Sequence, residues 1–477
     1  MAGRYDVVII GMGSGGMTAA EFAAEIGLSV AVVERDRVGG DCLWTGCVPS
    51  KALLASAKAA HTMRHGADYG LPAADPEIDT EQVWKRLKAV QEDIAATDDN
   101  PERFEALGVD VIRGSARIAA PDEVVVDEVR RLRTRYVLIC TGSRPAEPPI
   151  EGLREVGVLT SETVFELDRA PSSLVIVGGG PISVELAQAF TRLGVPSTVL
   201  QRGDRLLPRD EPALVDRLTG LLRAEGVEIV LGASAERLTG NGGGNGGGNG
   251  GGKVVHGTAG GQARTWRAAE VLVAAGRRPN IEGLGLEELG VDVGPKGVAV
   301  DERLRTSVDT IYAAGDVAGR YLFTHSAGYE AVRALRDMFY PGKGTADALV
   351  PWCTFTDPEL AHAGVTAAEA REQHGRRVEV HELDLVHSDR ARAEGASGAF
   401  ILVTVKDRLV GAHLLAPAAG EVIGELSLAM RENMKLQQLA GLVHVYPTMA
   451  TGIGQLAGDR AFRTASRLSW LRRFTRH

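Results

Sequence analysis

The chain opens on an unbroken apolar run at residues 7–10, and a second at 30–33 ends in the acid Glu34. Apolar runs this short, without alternation, suit strands covered on both faces of a parallel sheet. Between them lie a glycine-rich turn and a stretch of small apolar residues at helical spacing, residues 11–16 and 19–24. The order strand, glycine turn, helix, strand recurs at 174–177, 178–180, 183–193 and 197–200. Two such units imply two dinucleotides or two halves of one site. Between the units, residues 81–107 read as a long polar helix, followed by two short strands at 109–112 and 124–126. An apolar strand at 136–140 ends in a turn at Thr141-Gly142-Ser143-Arg144-Pro145, and a similar phrase recurs at 271–280. The repetition suggests a chain that leaves its first domain near 150 and returns near 277. Residues 240–252 are glycine and asparagine only, which reads as a flexible loop between neighbouring strands. Beyond 350 come strand patterns at 379–385 and 400–405 and helical patterns at 419–430 and 436–441.

Composition narrows the classes. The 477 residues are 44% hydrophobic and 24% charged, ordinary for a globular protein with a large core. A net charge of -9 argues against nucleic acid as a partner. The first apolar run is too short for a signal peptide or a membrane span. Only four cysteines occur, Cys42, Cys47, Cys140 and Cys353, a usage that suits the reducing cytoplasm. The basic, aromatic-containing tail at 467–477 reads as a solvated end rather than a membrane contact.

Gly11, Gly13 and Gly16 stand where a strand turns into a helix, so backbone approaches a pyrophosphate resting on the helix N-terminus. Glu34 ends the next strand, the position from which an acid bonds an adenosine ribose. In the second unit Gly178 and Gly180 are followed by Ser183 in place of a third glycine. Gln201 and Arg202 replace the strand-end acid, which favours NADPH over NADH, with Arg205 or Arg209 as further candidates.

Cys42 and Cys47, separated by four residues, lie in Gly39-Gly40-Asp41-Cys42-Leu43-Trp44-Thr45-Gly46-Cys47-Val48-Pro49-Ser50-Lys51. A disulfide closing so small a loop adds little stability, so the pair reads as a reaction centre. Pro49 fits a first helical turn, which places Cys47 at the positive end of a helix dipole, where a thiolate is favoured. A zinc site and two inert core thiols are the competing readings. Cys140 and Cys353 do not form the close-set pair that zinc would need.

On these motifs the whole chain resembles the FAD-dependent pyridine nucleotide-disulfide oxidoreductases, which include glutathione reductase, dihydrolipoyl dehydrogenase and mercuric reductase. The resemblance implies an α/β fold with two Rossmann-type dinucleotide-binding domains and a C-terminal α+β dimerisation domain. The implied boundaries are 1–149 for the first part of the FAD-binding domain and 150–276 for the NAD(P)-binding domain. Residues 277–349 would form the second part of the FAD-binding, central domain, and 350–477 the dimerisation domain of a homodimer. The cofactors implied are FAD and NADPH (or NADH). By the same resemblance Cys42 exchanges with substrate, Cys47 lies against the flavin, and Lys51 near flavin N5 pairs with Glu185. Gly40, Thr141, Gly142, Gly276 and Asp316, the last within Ala313-Ala314-Gly315-Asp316-Val317, match further cofactor-binding positions.

Near the C-terminus, disulfide-reducing members of the family carry a His-Pro-Thr triplet whose histidine serves the partner subunit as general base. Here Tyr446 stands at that histidine, and Thr451 at its orienting acid. A tyrosine is a poor base at neutral pH. Mercuric reductases resemble this pattern, which here runs Tyr446, Thr448, Met449 and Gly452. The chain lacks their vicinal cysteine pair, having no cysteine after Cys353. The resemblance therefore implies an NAD(P)H oxidoreductase that passes two electrons through a Cys42–Cys47 disulfide to a small-molecule or metal-ion acceptor. Hg(II) or a related soft metal ion leads, with Cys42 and Cys47 as ligands of that substrate metal only. The alternatives are a disulfide reductase or dihydrolipoyl dehydrogenase and, from another class, a degenerate FAD-binding scaffold or redox sensor.

Overall fold

The computed structural model describes residues 4–240, 252–342, 345–346 and 348–467. Strand β1 (Tyr5–Ile10) pairs in parallel with β2 (Val30–Glu34) on one side and with the strand Arg130–Ile139 on the other. The sheet extends to Asp110–Arg113 beyond β2 and to Ile311–Ala313 beside Arg130–Ile139, both parallel. Val7 and Ile9 pack toward helix α1 (Ser14–Glu25) and the helix Thr324–Phe339, while Val8 and Ile10 pack toward Leu284, Leu286 and Val298. Both faces are covered, which is why the strand reads as continuous hydrophobicity. α1 buries Gly15, Gly16, Ala19, Ala20 and Ala23, a face of small side chains that lets it lie close to the sheet.

The second unit is an all-parallel sheet in the order Glu228–Leu231, Ser197–Gln201, Leu174–Val177, Glu270–Val273. A three-stranded antiparallel sheet packs against it. Two of its strands, Ala233–Thr239 and Lys253–Ala259, pair with each other and flank the glycine–asparagine tract. Residues 241–251 of that tract lie outside the described residues, as do 468–477 of the basic tail. The C-terminal region holds a five-stranded antiparallel sheet covered by the helix Ala419–Arg431. The fold is thus α/β with two Rossmann-type units and a C-terminal α+β unit.

One expectation needs correction. The long polar helix is two helices, Thr80–Thr97 and Pro101–Ala106. Asn100 accepts a hydrogen bond from the Arg103 N–H at 2.8 Å, and Pro101 takes the first helical position, where its missing donor costs nothing. The two short strands expected after it are present, at Asp110–Arg113 and Glu123–Val126. Asp110–Arg113 extends the parallel sheet, whereas Glu123–Val126 pairs antiparallel with Arg130–Ile139 and with an unforeseen strand, Ala116–Ala120.

Candidate active site

The two phrases that looked alike in sequence lie side by side. Ser143–Pro145 pairs antiparallel with Arg277–Pro279. Thr141 donates from its hydroxyl to the Asn280 carbonyl at 2.7 Å, and the Asn280 amide returns a bond to the Thr141 carbonyl at 2.9 Å. Gly142 and Gly276 take φ of 67° and 126°, which a side chain would oppose. Ser143 donates to Asp316, whose carboxyl is pushed up by burial.

Both glycine fingerprints leave a bare helix start. α1 begins after Gly13 and the helix Pro181–Arg192 after Gly180, and neither N-terminus carries a capping side chain. Asp79, Asn100, Thr366 and Ser388 cap other helices, while the helices Cys47–Arg64, Pro212–Ala224, Thr324–Phe339 and Ala419–Arg431 also start without a capping side chain. An uncapped helix start offers free N–H donors and a positive dipole, the features that receive a diphosphate. A Cβ on Gly16 would sit 1.9 Å from the Gly11 carbonyl oxygen, so the helix rests directly on the turn. Gly40 faces Gly13 across the same turn, a Cβ there meeting the Gly13 Cα at 2.8 Å. In the second unit a Cβ on Gly178 would meet the Ala274 carbonyl oxygen at 2.5 Å, while Gly180 faces open space. Ser183 is fully buried where the third glycine was expected. These surroundings fit a dinucleotide at each fingerprint.

At the strand ends, Glu34 accepts from the N–H groups of Met12 at 2.6 Å and Asp36 at 2.8 Å, so it braces the first turn. Gln201 packs against Gly179 and donates to the Arg205 carbonyl at 3.0 Å. Arg202 is exposed. Arg209 is exposed as well, with its guanidinium 5.0 Å from the centre of the Trp352 ring.

The cysteines occupy two consecutive helices, Cys42 in α2 (Gly40–Trp44) and Cys47 at the first position of α3 (Cys47–Arg64). Both are free thiols here. The Cys47 thiol is pulled down to about 6, chiefly by a hydrogen bond from Cys42, with help from Thr324 and the Lys51 charge, against burial and the nearby Asp41. Cys42 is held far above the usual thiol range by the same bond and by burial. The Thr324 hydroxyl lies 3.2 Å from Cys47 Sγ. These opposite shifts favour the thiolate on Cys47 and the proton on Cys42. Cys140 and Cys353 are both pushed up by burial, so they are inert thiols by comparison. Among the described residues no group of three or more metal-ligating side chains occurs.

One helical turn after Cys47, Lys51 Nζ lies 2.9 Å from Glu185 Oε2. Glu185 comes from the second unit and is 5% exposed, and its other oxygen accepts from the Phe355 N–H at 2.9 Å. The Phe355 ring lies 4.2 Å from the Lys51 ammonium. Thr324, Phe355 and Arg277 were not foreseen as site residues. Phe355 opens the run Phe-Thr-Asp-Pro-Glu at 355–359, which by itself names no partner for it.

Tyr446 is not beside the cysteines of its own chain. It is 69% exposed, and its hydroxyl donates to Asp389 at 2.6 Å, which raises its pKa further. It lies in an exposed apolar segment with Leu442, Val443 and Val445. His444 is tucked inward onto Glu425 at 3.0 Å. Among the described residues no helix is long and apolar enough to cross a membrane.

Comparison with known proteins agrees with this geometry. The pyridine nucleotide-disulphide oxidoreductase model matches residues 5–331, and that family's dimerisation domain matches residues 350–457, which supports a homodimer. A dihydrolipoyl dehydrogenase of Bacillus subtilis is 32% identical, covering 96% of this chain and 98% of the relative. A mercuric reductase of Staphylococcus aureus is 33% identical, covering 98% and 84%. Among solved structures, the Cu(II) complex of the HOCl-induced flavoprotein disulfide reductase RclA from Escherichia coli superposes with a TM-score of 0.82. That pair is 27% identical, covering 96% of this chain and 99% of RclA. The chain belongs to the pyridine nucleotide-disulphide oxidoreductase family, flavoprotein enzymes that use FAD and NAD(P)H.

Proposed function

We propose that this enzyme takes electrons from NADPH and passes two of them, through a Cys42–Cys47 disulfide, to a soft metal ion, with Hg(II) foremost. FAD, when bound, supplies the two-electron link between nicotinamide and disulfide. In this reading the bare helix starts after Gly13 and Gly180 receive the two diphosphates, and Thr141, Gly142 and Asp316 line the FAD side. Lys51, fixed by Glu185 and Phe355, holds a positive charge where reduction leaves negative charge. Cys47 carries the thiolate, and Cys42 keeps the proton until it meets the acceptor.

The observation that carries the choice of acceptor is Tyr446. It occupies the place of the family's base histidine, it is exposed among apolar residues of the dimerisation region, and its bond to Asp389 makes it a still weaker acid. Reduction of a disulfide substrate needs a group that accepts and returns a proton near neutral pH, and this phenol does neither. A thiophilic metal held between two sulfurs needs no such proton shuttle. The competing reading is a dihydrolipoyl dehydrogenase, favoured by the full-length match to the Bacillus subtilis relative.

The test is an acceptor panel with purified holoenzyme. NADPH oxidation is followed with Hg(II) in excess thiol, with Cu(II), and with oxidised lipoamide. Metal-dependent turnover at least tenfold above lipoamide turnover is expected. Rapid lipoamide turnover with Tyr446 intact overturns the metal reading in favour of the dehydrogenase.

A further inference from the structure

We propose that Arg277 is a positioning residue for the Cys42–Cys47 pair, acting through Asp41. The inference rests on the redox reading above, because it concerns how that pair is held and charged.

Arg277 begins the short strand that pairs with Ser143–Pro145, and its side chain is only 12% exposed. Its guanidinium meets three separate parts of the chain. Nε donates to Ser143 Oγ at 2.7 Å, and Nη2 donates to the Ser143 carbonyl at 3.1 Å. Nε stands 3.5 Å from Asp316, and Nη2 lies 3.0 Å from Asp41 Oδ2. The bonds to Ser143 fix the fork, so the contact with Asp41 is made by a group that cannot wander.

Asp41 in turn organises the turn between the cysteines. Its carbonyl accepts the Thr45 N–H at 2.9 Å, and its second carboxylate oxygen accepts the Thr45 hydroxyl. A Cβ on Gly46 would lie 2.9 Å from the Asp41 carbonyl oxygen, so the chain passes tightly against it before Cys47. Asp41 thus sets the path from one sulfur to the other, and Arg277 ties Asp41 to the body of the domain.

The charge has a second consequence. Asp41 opposes a thiolate on Cys47. Glu162 also faces both Asp41 and Arg277, and burial followed by Asp41 pushes its carboxyl up. Arg277 therefore stands as a fixed cation among Asp41, Asp316 and Glu162, with Arg144 also acting on Glu162. It cancels a negative charge that would otherwise disfavour the reduced pair.

This arrangement makes a prediction that a purely mechanical clamp does not. Removing Asp41's charge should favour the dithiol, and removing Arg277's charge should favour the disulfide. The reaction is the disulfide plus two glutathione thiols, giving the Cys42 thiol, the Cys47 thiolate, one proton and one oxidised glutathione. Holoenzyme is equilibrated in glutathione buffers, quenched by alkylation, and the reduced fraction read by mass spectrometry. Asp41→Asn should move the equilibrium about threefold toward the dithiol, and Arg277→Gln about threefold toward the disulfide, the size expected of a partly exposed ion pair. The double variant should return close to the wild-type value, and Arg277→Lys should lie between wild type and Arg277→Gln. Shifts of the same sign in the two single variants overturn the inference. Asp41 is exposed, so Asp41→Asn carries the test alone should Arg277→Gln fail to fold. A disulfide that forms with an equilibrium unmoved by Asp41→Asn overturns this inference alone. Failure of any disulfide to form in oxidised glutathione overturns the redox reading itself, and this inference with it.

Discussion

Lys51 and Glu185, 134 residues apart in sequence, form an ion pair at 2.9 Å that joins the cysteine-bearing helix to the second nucleotide-binding unit. Glu185 is buried while Lys51 is half-buried, and the second carboxylate oxygen is occupied by the Phe355 N–H. The carboxylate therefore fixes where the ammonium sits. Glu185→Gln keeps an acceptor for Phe355 but removes the charge that holds Lys51. The expected outcome is about a tenfold fall in the rate of flavin reduction, equivalent to about 1.4 kcal/mol in the barrier, with little change in the KM for NADPH. Stopped-flow reduction by NADPH checks this. A rate within twofold of wild type would remove the pair from the chemistry.

The cysteine pair makes a pH prediction. Cys47 is pulled down to about 6, first of all by the hydrogen bond from Cys42. In the reduced protein one thiol should react with iodoacetamide along a titration centred near pH 6, well below an unperturbed thiol near 8.5. Cys42→Ala removes the S–H donor and should move that midpoint upward. Mass spectrometry of the alkylated peptide identifies the residue. A midpoint that stays near 6 in the variant would show that Cys42 is not the cause.

A buried carboxyl outside the reaction centre gives a separate stability test. Asp210 is 4% exposed and accepts from the Trp352 indole at 2.9 Å, and burial pushes its carboxyl up to about 6. A folded-state value above the unfolded one near 3.9 means that the folded protein holds the proton more tightly. The associated stability is present at low pH and is lost as pH rises through about 6. Asp210→Asn keeps an acceptor for Trp352 without the charge. Between pH 5 and 8 the wild type should lose about 1 kcal/mol more than the variant, read from denaturant melts at both pH values. Parallel pH profiles would count against a raised Asp210.

Sequence carried the local parts of this site, and the family resemblance carried the Lys51–Glu185 pair, but the other long-range contacts were missed. The glycine turns, the cysteine spacing and the strand order are legible because each depends on neighbours a few residues away. Tertiary partners are a different matter. Nothing in the phrase around Arg277 names Asp41, and no spacing brings Thr324 to Cys47 across 277 residues. The break in the polar helix was in principle readable, since Asn100 and Pro101 form a helix start, but the polar periodicity on either side concealed it. The placing of Arg209 on Trp352 also needed the fold, because it joins the second unit to the C-terminal sheet.

That last contact sharpens the prediction for nucleotide choice. Of the three arginines near the end of the second strand, Arg209 is engaged with Trp352, and Arg205 has a buried Nε with no hydrogen-bond partner. Arg202 is exposed and follows Gln201, whose amide is tied to the Arg205 carbonyl and whose stem lies on Gly179. Gln201 brings no negative charge to repel a 2′-phosphate, and Arg202 brings a positive one to meet it. Arg202→Glu should raise the KM for NADPH about tenfold, the loss expected for one charge-assisted hydrogen bond, while the KM for NADH changes by less than threefold. Arg209→Ala is the control. It should leave the NADPH to NADH ratio unaltered because its guanidinium is spent on the indole. Steady-state kinetics with both nucleotides decides the matter. A ratio moved by Arg209→Ala and not by Arg202→Glu would reassign the phosphate contact.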